Sequence, residues 1–481
     1  MKRWMKYVKP YWVYFVLGPI CMIVEVVGEV LMPKFMANII NKGVPQGENG
    51  LWYIIGVCAL MVAVALLMMA GGVGGAYFGA KASVNFASDL RQDIYTKVQS
   101  FSFANIDKFS TGSLVTRLTN DVTHIQNFIN MLLRIGLRSP GLLIGALIMA
   151  ISINPRLALV LSVTIPLILL TQFFLIRTGS PRFSRMQTRI DSLNANVQEN
   201  LTNVRVVKSF VREDFERQKF GRSNANLKEA GLKAIGVMIF MQPLMTLFMN
   251  ITSLAVVWFG GQQVIAGGML VGDLVAFITY ITQILMSLMM LTMMFMMSSR
   301  ALASGRRIRE VLDERVDLTD QNAAHPDRKV QQGRVEFRNV SFRYYKNSAE
   351  KVLSGVNLTI EPGETVGIIG STGCGKTTLV SMIPRLYDVD EGQVLVDGVD
   401  VREYTQAALR NKIGYVSQKA ILFAGTVRSN VAFGDNGKNG FLDSDIVDSV
   451  YTAQANDFVE KMPESYDGYI AQSGSNLSGG Q

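Results

Sequence analysis

Between Leu51 and Ala80 the chain carries no charged side chain. About 20 apolar residues in a helix cross the hydrocarbon core of a bilayer, and soluble folds do not sustain so long an uncharged run. Part of this chain therefore sits in lipid, and the rest must be read around that constraint. Composition agrees: of 481 residues, 49% are hydrophobic and 18% charged, against roughly 25% charged in soluble domains. So much apolar content excludes a disordered chain. Three scattered cysteines (Cys21, Cys58, Cys374) and two histidines (His124, His325) exclude a disulfide framework or zinc ribbon and leave little room for a multi-His metal centre.

Five more apolar segments accompany the first: Tyr11 to Met32, about Ile135 to Ile153, Leu157 to Ile176, Ala234 to Ala266, and Leu274 to Met297. Six spans are expected. Basic residues orient them, because cytoplasmic connections are rich in Lys and Arg. Lys2, Arg3, Lys6 and Lys9 precede the first span, Lys81, Arg91, Lys97, Lys108 and Arg117 follow the second, and twelve Lys or Arg lie between Arg177 and Lys233. The alternate connections hold only Lys34, Lys42 and Arg156. Both termini and the two long connections are thus expected in the cytoplasm. The net charge of +9 alternates with the spans, so it reflects topology and no nucleic-acid partner is expected. The first apolar run is too long for a signal peptide, and no small-residue cleavage site follows it. The long connections show helical periodicity, as in Asn200 to Val211, and read as arms reaching about 35–40 Å beyond the bilayer.

Glu25 and Glu29 are four residues apart and share one face of the first span. Acids inside a span are functional candidates by default, so a cation-attracting substrate cavity is one expectation and an outer-interface position for Glu29 the alternative. Met286, Met289, Met290, Met293, Met294, Met296 and Met297 surround the sixth span, which favours packing over a promiscuous binding face. Gly71, Gly72, Gly74 and Gly75 permit close helix contact.

After Met297 the composition turns polar. Arg300 to Gln332 reads as a helix exit and a linker that includes Ala323-Ala324-His325-Pro326-Asp327. From Gly333 short strands alternate with helices, an α/β pattern. The expected division is therefore 1–300, 301–332 and 333–481. Gly370-Ser371-Thr372-Gly373-Cys374-Gly375-Lys376-Thr377 fits the phosphate-loop pattern G-x-x-x-x-G-K-[ST], with an apolar strand expected over Thr365 to Ile369 and a helix over Thr378 to Leu386. Glycines let backbone amides converge on phosphate oxygens. Lys376 is placed to reach the β- and γ-phosphates, and the Thr377 hydroxyl to ligate Mg²⁺.

Leu477-Ser478-Gly479-Gly480-Gln481 supplies the second signal. A phosphate loop followed by this pentapeptide resembles the nucleotide-binding domain of ATP-binding-cassette (ABC) transporters. Gly414-Tyr415-Val416-Ser417-Gln418 resembles that family's Q-loop, and Phe342-Arg343-Tyr344 its adenine-stacking A-loop. Six helices fused ahead of the cassette resemble the exporter branch, and the resemblance covers the whole chain. It implies a six-helix all-α transmembrane domain followed by an α/β P-loop cassette, acting as an ATPase coupled to export across the bacterial plasma membrane by alternating access. ATP and Mg²⁺ are the implied cofactors. Carried over by residue, Tyr344 stacks on adenine, with Tyr345 as the alternative, and Gly370 to Thr378 hold the phosphates. Gln418 sits near Mg²⁺ and the γ-phosphate as the one catalytic position within the chain. Ser478, Gly479, Gly480 and Gln481 cap a γ-phosphate bound by the other subunit. Asp107 to Gly112 and Val211 to Phe215 resemble the short coupling helices that lodge in the cassette surface. Cys374 reads as a loop spacer.

Two departures matter. The chain ends on the signature, so the Walker B strand, the catalytic glutamate and the switch histidine of the family pattern are expected in a continuation. Before the signature stands Ile470-Ala471-Gln472-Ser473-Gly474, where homodimeric exporters usually carry an acid at the place of Gln472. That resembles one half of a heterodimeric bacterial exporter. The implied partners are a second half-transporter, a heterodimer being expected over a homodimer, together with membrane lipid and a small amphipathic or peptide substrate. An ATP-gated regulator or a non-catalytic subunit is the rival reading, and a membrane-anchored P-loop kinase is opposed by the signature and the Q-loop.

Overall fold

Six long helices build the first part of the molecule: α1 (Trp12–Asn38), α2 (Leu51–Gln99), α4 (Val122–Ile153), α5 (Pro155–Thr202), α7 (Met241–Ile265) and α8 (Val271–Asp313), with α3 (Phe103–Lys108) and α6 (Glu213–Met238) between them. The computed structural model describes residues 2–320, 323–324, 328–345, 348–418, 421–434 and 440–481, without the side chains of Lys2, Met293, Phe295 and Met296. His325, Pro326 and Asp327 of the expected linker, and the Met293 and Met296 side chains, lie outside the described residues. The chain divides into two units, residues 1–97 with 112–313 and residues 98–111 with 314–481. The boundary expected at residue 300 falls inside α8, which runs unbroken to Asp313.

Five helical runs are long and apolar enough to cross a membrane, the first extending from Arg3 to Gln99. That run reverses over Ile39–Gly50 and so holds both α1 and α2. Their antiparallel contact depends on small residues. A Cβ at Gly71 would lie 2.8 Å from the Cys21 carbonyl oxygen, and one at Gly75 would lie 2.3 Å from the Met22 methyl. Among these helices packing without side-chain bulk replaces the hydrophobic drive that water supplies elsewhere. Asn154 caps α5, its Oδ1 accepting from the Leu157 amide at 3.0 Å, with Pro155 at the first helical position. α2 spans 49 residues and α5 spans 48. At about 1.5 Å per residue each carries roughly 40 Å beyond a 30 Å hydrocarbon core. α5 pairs with α6 along that arm through Asn196–Ser223 (2.7 Å) and Lys219–Glu199 (2.8 Å).

The fifth apolar stretch differs from the expected single helix. α6 continues to Met238, the chain breaks at Ile239–Phe240, and α7 begins at Met241. Pro243 explains the break: its ring would clash with the carbonyl four residues back, that of Ile239, and it has no N–H to donate. The core of this unit lies among α1, α4, α5, α7 and α8, around Val30, Ala146, Leu161, Val256, Phe277 and Tyr280. Two of its buried polar groups pair internally: Tyr280 donates to the Val30 carbonyl at 2.8 Å, and Thr292 to Gln172 Oε1 at 2.6 Å. Below the spans, buried Asp121 accepts from Ser304 Oγ and Arg307 Nε, both at 2.8 Å.

The second unit holds an antiparallel sheet of β1 (Val335–Phe342), β2 (Leu353–Ile360), β3 (Glu391–Val396) and β4 (Val399–Asp400), in the order β2-β1-β3-β4. Asp397 and Gly398, at φ +50° and +78°, form the two-residue turn that joins β3 to β4. The Asp397 carboxylate accepts from the amides of Gln331, Gln332, Gly333 and Arg334 at 2.6–3.0 Å. Partial burial raises its pKa, but these four donors outweigh that and hold it below the ordinary carboxylate value. Phe337, Val340, Met382, Val394 and Tyr404 form the core beneath. A separate cluster of Val427, Val450, Val459 and Ile470 supports β5 (Gly425–Thr426), β6 (Tyr469–Ile470) and a helix over Asp443–Thr452.

The strand expected over Thr365 to Ile369 does not form. These residues make no ladder, and Ile369 is 98% exposed. The segment before Gln418 behaves alike, with Val416 at 96%. An isolated extended segment has no ladder hydrogen bonds to hold it, and among the described residues no strand pairs with either.

Candidate functional site

The phosphate-loop residues meet at the start of α9 (Lys376–Met382). Gly373 and Gly375 take φ +86° and +93°, a region that penalises L side chains by about 1 kcal/mol or more. A Cβ at Gly375 would also stand 3.1 Å from the Val352 carbonyl oxygen. These two turns fold the loop so that Lys376 Nζ reaches the carbonyls of Gly370 and Ser371, each at 2.8 Å. Cys374 lies beside it, Sγ 3.7 Å from Nζ. Thr377 keeps its hydroxyl without a hydrogen bond among the described residues. One ammonium, a curl of backbone amides and a free hydroxyl suit a polyphosphate carrying a hard cation.

Thr378 ties the loop to an aromatic group. Its Oγ1 is 2.8 Å from the Tyr344 hydroxyl, whereas Tyr345 points to solvent. The Tyr344 ring meets Tyr387 edge-on at 5.3 Å and Phe342 at 5.0 Å. Tyr387 in turn donates to Asp107 Oδ2 of α3 at 2.9 Å, and its ring lies 6.0 Å from Phe103. Burial first, and the Asp107 bond second, push the Tyr387 phenol above its ordinary value. α3 is set by a capping box, Ser102 Oγ accepting from the Asn105 amide and Asn105 Oδ1 from the Ser102 amide. Asn105 also donates to the Arg315 carbonyl at 2.8 Å, and Lys108 pairs with Glu314 at 2.7 Å. Asp107, the first residue of the expected Asp107 to Gly112, thus touches the cassette together with Phe103, Asn105 and Lys108.

The second expected coupling segment does not form a short helix of its own. The turn of the long arm holds a short helix at Val204–Ser209, Val211 leaves it at φ +51°, and α6 begins at Glu213. Val211 to Phe215 thus straddles a turn and a helix start.

Gln418 belongs to the exposed segment beside α9, where Tyr415 hydroxyl and Ser381 Oγ stand 3.4 Å apart. Its own side chain makes no hydrogen bond among the described residues. Ser478 to Gln481 lie elsewhere. Leu477 packs on the Val427–Ile470 cluster, Asn476 bonds the Ala471 amide and the Tyr469 carbonyl, and Gln481 Oε1 accepts from the Ser478 amide at 2.9 Å. Within one chain the phosphate loop and the signature rest on different hydrophobic clusters.

A family model described as ABC transporter transmembrane region matches residues 15–288, and one described as ABC transporter matches residues 353–481. The chain belongs to the ABC transporter family. An uncharacterized ABC transporter ATP-binding protein of Bacillus subtilis, YfiB, is 37% identical over 100% of this chain and 82% of its own length. An uncharacterized ABC transporter ATP-binding protein of Mycobacterium tuberculosis is 35% identical over 99% of this chain and 81% of its own. An ATP-dependent lipid A-core flippase of Syntrophus aciditrophicus is 33% identical over 82% of this chain and 64% of its own. The architecture is that of an exporter-type half-transporter, and exporters of this type work as dimers.

The transporter's spans also enclose a cavity. A cavity of 1230 Å³ opens among α4, α5, α6, α7 and α8, where their apolar stretches give way to charge. Glu25 and Glu29, expected to face a substrate, are placed elsewhere. Both carboxylates contact Arg138 Nη2, at 3.3 and 3.1 Å, and neither lines the cavity. Arg138 does line it. Sequence reading missed this residue because a lone charge inside an apolar run resembles tolerated noise. Its spacing of four from Arg134, which puts both on one helix face, was the signal available. The methionines of α8 divide between uses: Met290 and Met297 face the cavity, while Met289 packs on the core.

Proposed function

We propose that this chain is one half of a dimeric exporter that uses ATP to move a lipid-like amphiphile across the plasma membrane by alternating access. The observation that carries the reading is the Lys376 loop, with its two left-handed glycines, in a cassette fused to six membrane helices. Gly370 to Thr378 would hold the phosphates, Tyr344 the adenine, and Thr377 and Gln418 the Mg²⁺. Bound ATP supplies the phosphoanhydride whose cleavage drives the cycle. This chain's residues bind it, neutralise its charge and report its presence. The Ser478–Gln481 signature would cap a partner's phosphates, which the separation of the two motifs onto different clusters supports. Gln472, standing where homodimeric exporters carry an acid, favours a partner that is not identical. The lipid-like substrate rests on similarity to flippases and on the apolar wall of the cavity.

In proteoliposomes containing the intact protein and its partner, Lys376→Ala should weaken ATP binding at least tenfold and abolish ATP-dependent movement of a fluorescent lipid. The ammonium makes a charge-assisted contact, and its loss leaves α9 intact. Undiminished nucleotide affinity in the variant would refute the assignment.

A further inference from the structure

We infer that the segment Arg3–Tyr11 is a strap that fixes the final turns of α2 to the end of α8, with Arg3 and Tyr7 as its positioning residues. Its part in coupling rests on the proposed ATP-driven cycle, whereas the strap itself does not.

Lys2–Val8 forms a helix of seven residues, and Lys9–Tyr11 adds a single 3-10 turn. So short a helix does not hold itself in water, and its order comes from what it touches. Trp4, Tyr7 and Tyr11 recur at i, i+3 and i+7 and share one side of the segment. Phe86, Asp89 and Asp93 recur at the same spacing on α2. These two stripes face each other. The Trp4 ring stacks on Phe86 at 6.2 Å, and the Tyr7 ring meets Phe86 edge-on at 5.5 Å. Tyr7 is 3% exposed, and its hydroxyl donates to Asp93 Oδ2 at 2.8 Å, where Lys6 also pairs. Tyr11 donates to Asp89 Oδ1 at 3.3 Å.

The same segment also grips α8. A Cβ at Gly305 would lie 3.7 Å from Cζ2 of Trp4, so the indole rests where α8 carries no side chain. Arg3 donates to the Leu312 carbonyl at 3.2 Å and pairs with Asp313, the last residue of the helix. Hydrogen bonds constrain both distance and angle. Anchors of this kind on both helices fix the register of α2 against α8, where ring contacts alone would permit sliding. The chain passes from the first unit to the second after Lys97 and after Asp313. Asp93 stands about one turn before the first passage, and Asp313 at the second. The two helices are thus held to each other just before their chain enters the cassette unit. A movement of the spans reaches the cassette by both routes at once, as a single displacement.

The test is the distance between nitroxides attached to encoded azido residues at positions 95 and 302, in the intact protein with its partner in nanodiscs. Tyr95 on α2 and Leu302 on α8 are both exposed. Wild type should give one narrow distance, the same without nucleotide and with ATP. Arg3→Asp should at least double its width, and the exchanged pair Arg3→Asp/Asp313→Arg should narrow it again. Tyr7→Phe, which keeps the ring and loses the Asp93 bond, should broaden it less. Asp313 also accepts from Arg309 of its own helix at 3.1 Å, so Arg3→Gln strands no charge and serves if Arg3→Asp does not accumulate. In unlabelled protein Arg3→Asp should reduce stimulation of the ATPase by the proposed lipid substrate several-fold, while the KM for ATP moves less than twofold. The exchanged pair should restore the stimulation, which a merely weakened fold would not do. An unchanged width in Arg3→Asp, or an exchanged pair as broad as the single variant, would overturn the strap. Broadening with undiminished stimulation would overturn its part in coupling. The nucleotide-free distance is independent of the Lys376→Ala experiment, so failure of the strap is distinguishable from failure of the ATP reading.

Discussion

Asp397 performs two tasks with one residue. Its backbone takes the left-handed conformation that the turn before β4 demands, and its carboxylate gathers the four amides of Gln331 to Arg334. Hydrogen bonds to a charged acceptor contribute roughly 1.5–3 kcal/mol each, less where the group is solvated. Asp397→Asn keeps the turn but should cost about 1–2 kcal/mol, since the group is partly solvated and the amide oxygen replaces some bonds. Amide exchange at residues 331–334 should accelerate about tenfold in the variant. The pH dependence has a definite sign. With the folded pKa held below the unfolded value of about 3.9, the contribution is complete above that pH and fades as pH falls through the lower folded value. Wild type should therefore lose protection of these amides below about pH 4, and the variant should show little such change. Equal acid sensitivity would assign the effect to other groups. At this scale the sequence was most legible where chemistry is local. Lys376 and its glycines could be named because the loop is one contiguous stretch. Arg138 could not, because the acids that hold it lie on another helix, far away in sequence.

Among elements, α3 is the clearest case of structure coupling to chemistry. From Asp107 of α3 the contacts run through Tyr387 to Tyr344, and from Tyr344 to Thr378 beside the phosphate loop. Tyr387→Phe removes the hydroxyl bound to Asp107 and keeps the ring. ATP affinity of the intact exporter should change less than twofold, whereas stimulation of its ATPase by the proposed lipid substrate should fall several-fold, because a charge-assisted bond to α3 is lost. Unchanged stimulation would show that Asn105 and Lys108 suffice to hold the helix. The positions of helices were readable from apolar length and from signals such as Asn154-Pro155. Their ends were not always so. Val211 adopts a positive φ that a β-branched residue gives no hint of, so the tip of the long arm lies a few residues before the place expected. Thr365 to Ile369 shows a second limit, because β-propensity needs a neighbouring strand before it becomes a ladder.

For the whole molecule, the separation of phosphate loop and signature onto different clusters makes the number of chains the decisive quantity. Co-expression with a second half-transporter and purification through a tag on this chain should recover a 1:1 complex, and transport should require it. Full transport by the intact chain alone, with no second subunit bound, would refute the heterodimer. The membrane helices were legible from composition, because a shift from uncharged to charged sequence marks a change of solvent, and the cassette from its phosphate loop and signature. The assignment of residues 98–111 to the cassette unit was legible only as a resemblance, since nothing in their local pattern names what they touch. That assignment also has a temporal side. Ser102 and Asn105 leave the ribosome long before the Arg315 and Tyr387 that complete their surroundings. The separation is 210 residues from Asn105 to Arg315 and 280 from Asp107 to Tyr387, which at about 5–20 residues per second take roughly 10–55 seconds to synthesise. During that interval Phe103 and its neighbours are a six-residue segment too short to hold a helix alone, available to chaperones and proteases, and slow codons in α5 to α8 would lengthen the exposure.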